Sequence, residues 1–424
     1  MPFAQEHTGS YYAATANEQT DYPRLKDDLR VDVCVIGGGF TGLSAALSLA
    51  ERSYNVCILE ANRIGWGASG RNGGQMIGGI SGEEKLVEKY PEHADLIWEM
   101  GWRGHDIIRD RVERYAIDCD LKHGYVDVAI KPRHLRDLEE AEIKLSRRNF
   151  PYEHGLMSRQ ETCDALGTDA YIGALKNMGC GHLHPLNLAI GEAKAAESLG
   201  AAIYEQSAAL KIDHGESVRV TTAEGSVTAD FVLLAGNAYQ FLEKSLRTRF
   251  LPVMSFIVAT EPLSDDLLDV VNPHDLAVCD PNFLLKYYRL SADKRLIFGN
   301  RFRYLGEDKD VIAANHRPMM LDIYPQLKDV RIDYGWGGTI AVSINRVPQL
   351  GRLAPNVFYS NAYSGHGVNV TQLAGEVVAD AMCGTMERFD ILAGIPSMRI
   401  PGVNQFSDAL VNLGVLWYGM KDKL

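Results

Sequence analysis

Nowhere in this 424-residue chain does an uncharged apolar run approach the roughly 20 residues that a membrane-spanning helix needs, so no membrane span is expected. Residues 1–30 lack the basic start and apolar stretch of a secretion signal. Seven Cys occur without a single C-x-x-C pair, so neither a zinc module nor a disulfide framework is expected, and a reducing, cytoplasmic setting fits. Basic residues are also short. The 43 Lys plus Arg face 55 Asp plus Glu, a net charge of -12 that repels polyanions and argues against a nucleic-acid partner. Internal repeats and low-complexity linkers are missing too. What is present, 46% hydrophobic and 23% charged residues, fits a globular protein of two or three domains with a sizeable core.

Two stretches read as strand, glycine turn and helix. In the first, 31–36 is a β-branched apolar run, Gly37, Gly38 and Gly39 turn, and Leu43, Ala46, Leu47 and Ala50 mark one helical face. In the second, 357–361 is the strand and Gly365, His366 and Gly367 form the turn. Val370, Leu373, Ala374, Val377, Val378 and Ala381 then recur at helical spacing until Gly384. A helix over 188–199 and short strands near 202–204, 218–222 and 231–234 lie between. Residues 119–130 and 251–304 alternate and carry aromatics, which predicts an antiparallel sheet. An amphipathic stretch, 409–418, is expected to pack on its own protein.

Gly37-x-Gly39-x-x-Gly42 matches G-x-G-x-x-G in a context that gives it weight: it follows a strand, opens a helix, and a second strand, 56–59, ends in Glu60. Gly37 permits the tight turn, Gly39 lets backbone N–H groups approach a pyrophosphate, and Gly42 allows close packing of helix on strand. The helix N-terminus adds partial positive charge, and Glu60 can accept hydrogen bonds from ribose hydroxyls. Glu60 suits NAD and FAD alike. The loop over 63–75, R-I-G-W-G-A-S-G-R-N-G-G-Q, favours FAD, because so much glycine lets backbone press along a long cofactor. The turn over 364–370 points a second helix N-terminus inward, where its dipole can stabilise negative charge on a reduced flavin.

These strings, with T-G-S-Y-Y-A-A from Thr8, G-H-L-H-P-L-N-L-A-I-G-E, L-A-G-N-A-Y and R-F-D from Arg388, resemble the FAD-dependent oxidoreductases of the D-amino-acid oxidase and glycine oxidase type over nearly the whole chain. The resemblance implies an α/β plus α+β architecture, with a Rossmann-like FAD-binding domain and an inserted antiparallel-sheet substrate domain. The FAD domain is expected from 30–85, 176–246 and 334–424, the substrate domain from 86–175 and 247–333, and 1–29 is an N-terminal extension. Carried over by motif, the cofactor set is Gly37, Gly39, Phe40, Thr41, Gly42, Glu60, Ala61, Arg63, Gly67 and Ala68, then Ser69, Arg71, Asn72, Gly73, Gly74 and Gln75 along the flavin. Ala209 meets the adenine, Ala235 and Gly236 pass near the pyrophosphate, and Gly365, His366, Gly367 and Val368 face the flavin. Tyr287 falls where such oxidases place a substrate-facing tyrosine, with Phe302 across the next strand.

Two departures from the family pattern narrow the substrate. Where α-amino-acid oxidases carry W-x-G-x-R-P, whose Arg clamps the substrate carboxylate, this chain reads Trp336, Gly337, Gly338, Thr339, Ile340, Ala341. Ile340 cannot hold a carboxylate beside the reacting carbon, which argues against glycine or a D-amino acid. Gly70 stands where relatives with covalently attached flavin carry His, so non-covalent FAD is expected. Within the family the strings most resemble the branch acting on γ-glutamylated polyamines, which implies oxidation of γ-glutamylputrescine by dioxygen, giving aldehyde, ammonia and hydrogen peroxide. Another small amine or N-methyl amine is the same-class alternative. An NAD-dependent dehydrogenase and a non-catalytic nucleotide-binding protein are the alternatives of other classes. Tyr287, Phe302 and Ile340 form the expected apolar slot, no general base is assigned, and Arg289, Arg301 and Arg303 are candidates for a distant carboxylate, Arg301 foremost. At least two of these arginines also suit a solvated strand edge. His182 and His184 lack a third ligand at metal spacing, so no metal is expected and both read as loop-wall residues.

Overall fold

The computed structural model of the chain describes residues 5–239, 242–282, 285–300 and 308–403. Two sheets organise them. The first runs Gln349–Ala354, Val357–Asn361, Ser226–Leu234, Asp28–Ile36, Val56–Leu59 and Ala202–Tyr204 in spatial order. From Val357–Asn361 onward the strands are parallel, with Ile36 level with both Leu59 and Leu234. Parallel strands are covered on both faces, which is why Val56–Leu59 is apolar and buried at every position. The aligned strand ends leave a crevice beyond Ile36, Leu59 and Leu234, where open α/β sheets bind ligands.

Helix Phe40–Ala50 has no charged residue and is buried on all sides. It crosses Gly367–Met382 so closely that a Cβ on Gly375 would lie 2.5 Å from the Ser44 Cβ. Helix Pro185–Ser198 starts three residues before its expected position because His184 caps it, its Nδ1 accepting the Asn187 N–H at 3.1 Å ahead of Pro185.

The second sheet runs Ile332–Val342, Leu251–Thr260, Leu296–Asn300, Lys286–Leu290, Ala277–Cys279, Lys122–Ala129, Gly173–His182 and Gln75–Met76. It is antiparallel except where Ala277–Cys279 meets Lys122–Ala129. The expected domain boundaries at 176 and 334 fall inside two of its strands, Gly173–His182 and Ile332–Val342. The chain thus passes from sheet to sheet at strand ends. Gln75–Met76 stitches the glycine-rich loop to this sheet, with Gln75 Nε2 donating to the carbonyls of Val278 and Tyr288.

The N-terminal segment lies across both units. Ser10 caps the short helix Tyr11–Thr15, whose Tyr12 is fully buried against Trp336. Farther on, the buried Glu205 carboxylate accepts from the Thr20 hydroxyl and the Tyr22 and Ile64 N–H groups. Among the described residues no helix is long and apolar enough to cross a membrane. The 409–418 stretch lies outside them.

Candidate active-site cleft

The glycine turn is built by exclusion. Gly37 has φ +117°, and a Cβ there would stand 2.9 Å from the Ala235 carbonyl oxygen. A Cβ on Gly42 would come within 2.0 Å of the Gly37 carbonyl, so only glycine lets the helix start under the turn. Gly39 leaves room for Ser69, whose Oγ accepts the Phe40 N–H at 2.9 Å. At the end of Val56–Leu59, Glu60 accepts the Gly38 N–H at 2.7 Å and the Asn62 N–H at 2.8 Å. Burial raises its pKa to about 7, against the lowering effect of those N–H groups.

The loop after Glu60 is held internally and from below. Asn72 Nδ2 donates to the carbonyls of Ala68 and Ser69, and its Oδ1 accepts the Gly74 N–H at 2.8 Å. A Cβ on Gly70 would lie 2.4 Å from the Gly65 carbonyl, so the position excludes a side chain on steric grounds. Arg289 braces the loop from beneath. Its guanidinium donates to the carbonyls of Gly73, Leu183 and Leu290 and to the Tyr12 hydroxyl, and the residue is 3% exposed. This corrects the expectation of a strand-edge cation or carboxylate anchor at Arg289: alternation on Lys286–Leu290 turns it inward.

Between the sheets runs a cleft lined by residues of both. Its wall at the ends of the first sheet's strands includes Gly37, Gly39, Phe40, Thr41, Glu60, Ala61, Ala209, Ala235 and Gly236. Gly67, Ala68, Ser69, Arg71, Asn72, Gly73 and Gln75 line its length, and Gly365, Gly367 and Val368 close one side. Tyr287 and Ile340 stand on the second sheet's wall beside Ser255, Ile257 and Cys279. The Tyr287 ring fits against two glycines, since a Cβ on Gly73 or Gly299 would lie 2.6 or 2.1 Å from it. Its hydroxyl is 3.4 Å from Ser255 Oγ.

Four expected cofactor residues do not line the cleft. Gly42 and Gly74 lie beneath it as packing positions, Gly74 with φ +70° and Leu183 O 2.2 Å from a Cβ placed on it. Arg63 turns to the N-terminal segment, bonding Glu6, Asp21 and Glu205, because those carboxylates ring it on the outer side. His366 precedes Gly367–Met382 with Nε2 3.0 Å from the Ile77 carbonyl, so the turn offers the cleft backbone, not imidazole. Arg301, Phe302 and Arg303 lie outside the described residues. His182 ends a strand, and His184, in the connection before Pro185, caps a helix; both are buried, and burial shifts both to a pKa of about 3. Among the described residues no cluster of His, Cys, Asp or Glu is arranged to hold a metal.

Sequence reasoning missed Trp66, Tyr239 and Tyr363. Tyr239 packs edge-on to Trp66 and accepts the Thr339 N–H at 2.9 Å, tying the two walls together. Tyr363 joins the two helix starts, its hydroxyl 2.7 Å from both Thr41 Oγ1 and Ser360 Oγ. Ala362 and Ser364 on either side hold φ of 60° and 57°, strained values that mark this turn as over-determined by its surroundings. L-A-G-N-A-Y and Y-S-G-H-G-V contain both tyrosines; what was hidden was their reach across the cleft.

A cradle that glycines keep open, a carboxylate at the second strand end and a helix N-terminus together fit the adenosine and pyrophosphate of a dinucleotide. The chain belongs to the FAD dependent oxidoreductase family, whose model matches residues 32–381. FAD is its cofactor, and the NAD-dependent and non-catalytic alternatives are set aside. The chain is 42% identical to the gamma-glutamylputrescine oxidoreductase of Escherichia coli (strain K12), over 99% of each. It is 34% identical to the probable oxidoreductase OrdL of Rhizobium meliloti (strain 1021), over 98% of this chain and 97% of that one. Among solved structures, glycine oxidase from Geobacillus kaustophilus matches with TM-score 0.70 at 21% identity, covering 88% of this chain and 99% of its own. L-amino acid deaminase from Proteus vulgaris matches at 0.72 and 17%, covering 87% and 96%. At those identities the two structures speak for the fold alone.

Proposed function

We propose that this enzyme oxidises the primary amine of a γ-glutamylated polyamine, γ-glutamylputrescine. Amine, dioxygen and water would yield aldehyde, ammonia and hydrogen peroxide. The observation that carries the reading is Ile340 lining the cleft, an apolar side chain where the motif resemblance puts the carboxylate-clamping Arg of α-amino-acid oxidases. The 42% identity to a relative named for that substrate supports it.

In this reading bound FAD would supply the two-electron redox chemistry that links amine oxidation to dioxygen. The glycine turn and the Phe40 helix start would hold its pyrophosphate, Glu60 its adenosine ribose, and Ala209 its adenine. Ser69, Arg71, Asn72, Gly73 and Gln75 would hold the flavin end, and the Gly367 helix start would offer it N–H groups. Tyr287 and Ile340 desolvate the substrate ammonium, which lowers its pKa and favours the neutral amine, and hold the α-carbon within attack distance. No base is required at the substrate end, and the described cleft-lining residues include neither His nor any carboxylate except Glu60.

The test is amine-dependent peroxide release by the yellow purified protein, with one peroxide formed per amine consumed. Acid precipitation should leave all flavin in the supernatant, since Gly70 offers no linking side chain. Flavin in the pellet would contradict the non-covalent reading.

A further inference from the structure

We propose that Arg71 anchors the carboxylate of the substrate; the proposal rests on the γ-glutamyl amine reading and names the group that selects it. Arg71 is the one cation among the described residues lining the cleft. It is 8% exposed, and among the described residues it makes no ion pair. Its Nε donates to the Trp66 carbonyl at 2.8 Å, one Nη makes a long 3.4 Å contact with the Gly337 carbonyl, and the guanidinium lies 4.3 Å from the centre of the Trp66 ring. A guanidinium has five donor hydrogens, so most of this fork is left for the cleft. The other buried arginines differ. Arg111 pairs with Glu192 at 3.1 Å, and Arg289 is bonded to four oxygens. A buried charge without a counter-charge is costly unless a ligand supplies one, and a planar carboxylate is the group a guanidinium fork matches.

The placement explains the departure at Ile340. A Cβ on Gly338 would lie 3.1 Å from the Arg71 Cβ, so the missing side chain makes room for the arginine stem. Gly338 and Ile340 are two apart on Ile332–Val342 and share a face. The Trp336 indole N–H, donating to the Arg71 carbonyl at 3.0 Å, fixes the arginine's backbone to the same strand. Positive charge therefore enters this wall from the loop, displaced along the strand from the apolar side chain at 340. An amine whose carboxylate is remote from its reacting carbon meets Ile340 with methylene and Arg71 with carboxylate. An α-amino acid cannot do both.

The test compares two amides of putrescine that differ only by a carboxylate, N-glutarylputrescine and N-butyrylputrescine, alongside γ-glutamylputrescine. kcat/KM is measured for wild type, Arg71→Lys and Arg71→Met, each normalised to flavin content. The glutaryl-to-butyryl ratio should fall roughly a hundredfold in Arg71→Met, mainly through KM, and partly recover in Arg71→Lys. An unchanged ratio in flavin-loaded Arg71→Met and Arg71→Lys overturns the anchor while leaving the proposed function intact. Wild-type enzyme that ignores γ-glutamylputrescine overturns the function and the anchor with it.

Discussion

The wall of the cleft at the first sheet's strand ends, from Gly37 to Thr41 with Glu60, Ala235 and Gly236, is mostly backbone, kept bare by glycines where any Cβ would collide. The wall facing it, with Ser255, Ile257, Cys279, Tyr287 and Ile340, is made of side chains from several strands of the second sheet. The first wall therefore tolerates almost no added atom yet says little about substrate. The second can exchange side chains on a fixed backbone, and under the proposed function its differences from relatives would set the substrate preference. Substitutions on the first should empty the enzyme of flavin; those on the second should change what it oxidises.

The largest effect expected from that contrast is at Gly42. Gly42→Val should yield protein with under about a tenth of the wild-type flavin, because the overlap is with backbone that cannot move aside. Gly39→Val, whose Cβ meets only the adjustable Ser69 Oγ, should lose less flavin and keep its order of preference among amines. Flavin absorbance per chain checks both. Equal losses at the two positions would mean that the turn is not limited by packing.

Next comes Arg289, which supports the loop joining the walls. Arg289→Met removes bonds to three carbonyls and a hydroxyl and should cost about 3 kcal/mol of stability, read as a lower denaturant midpoint. Flavin affinity should fall with it, since the Gly73 carbonyl loses its brace. A midpoint unchanged from wild type would return Arg289 to the role of a dispensable cation.

A smaller effect concerns pH. Burial raises the Glu60 pKa from 4.5 to about 7, and its carboxylate is the better acceptor for ribose hydroxyls. Binding FAD thus favours the deprotonated form and releases a proton below that pH. The dissociation constant should fall by up to about tenfold per unit as pH rises from 5 to 7 and level off above, with the slope lost in Glu60→Gln. Titration of apoprotein with FAD at pH 6, 7 and 8 reads this directly. A constant that rises with pH would reverse the sign of the linkage.

The same contrast explains what could be read from the chain alone. Strand, glycine turn and helix are local patterns, so the parallel core, the cradle and the covering helices were visible in 31–50 and 357–384. Tyr287 and Ile340 were found through motif position, which locates a residue on a strand but not its neighbours. The inward turn of Arg289, the diversion of Arg63 to Glu6 and Glu205, and the bridging tyrosines Tyr239 and Tyr363 all depend on contacts far apart in sequence. Sheet membership failed to follow the expected domain limits for the same reason: Ile332–Val342 pairs along its length with Leu251–Thr260 while still lining the cleft.

The central claim is that the side-chain wall excludes an α-carboxylate at Ile340, and specificity constants by peroxide release at one pH test it most directly. Glycine, D-alanine, putrescine and γ-glutamylputrescine form the set. An unpartnered carboxylate beside Ile340 costs at least a few kcal/mol, so glycine and D-alanine should fall roughly a hundredfold or more below γ-glutamylputrescine. Putrescine, with no remote carboxylate and a second charge, should lie between. Glycine or D-alanine matching the γ-glutamyl amine would contradict the account of that wall and the substrate class together.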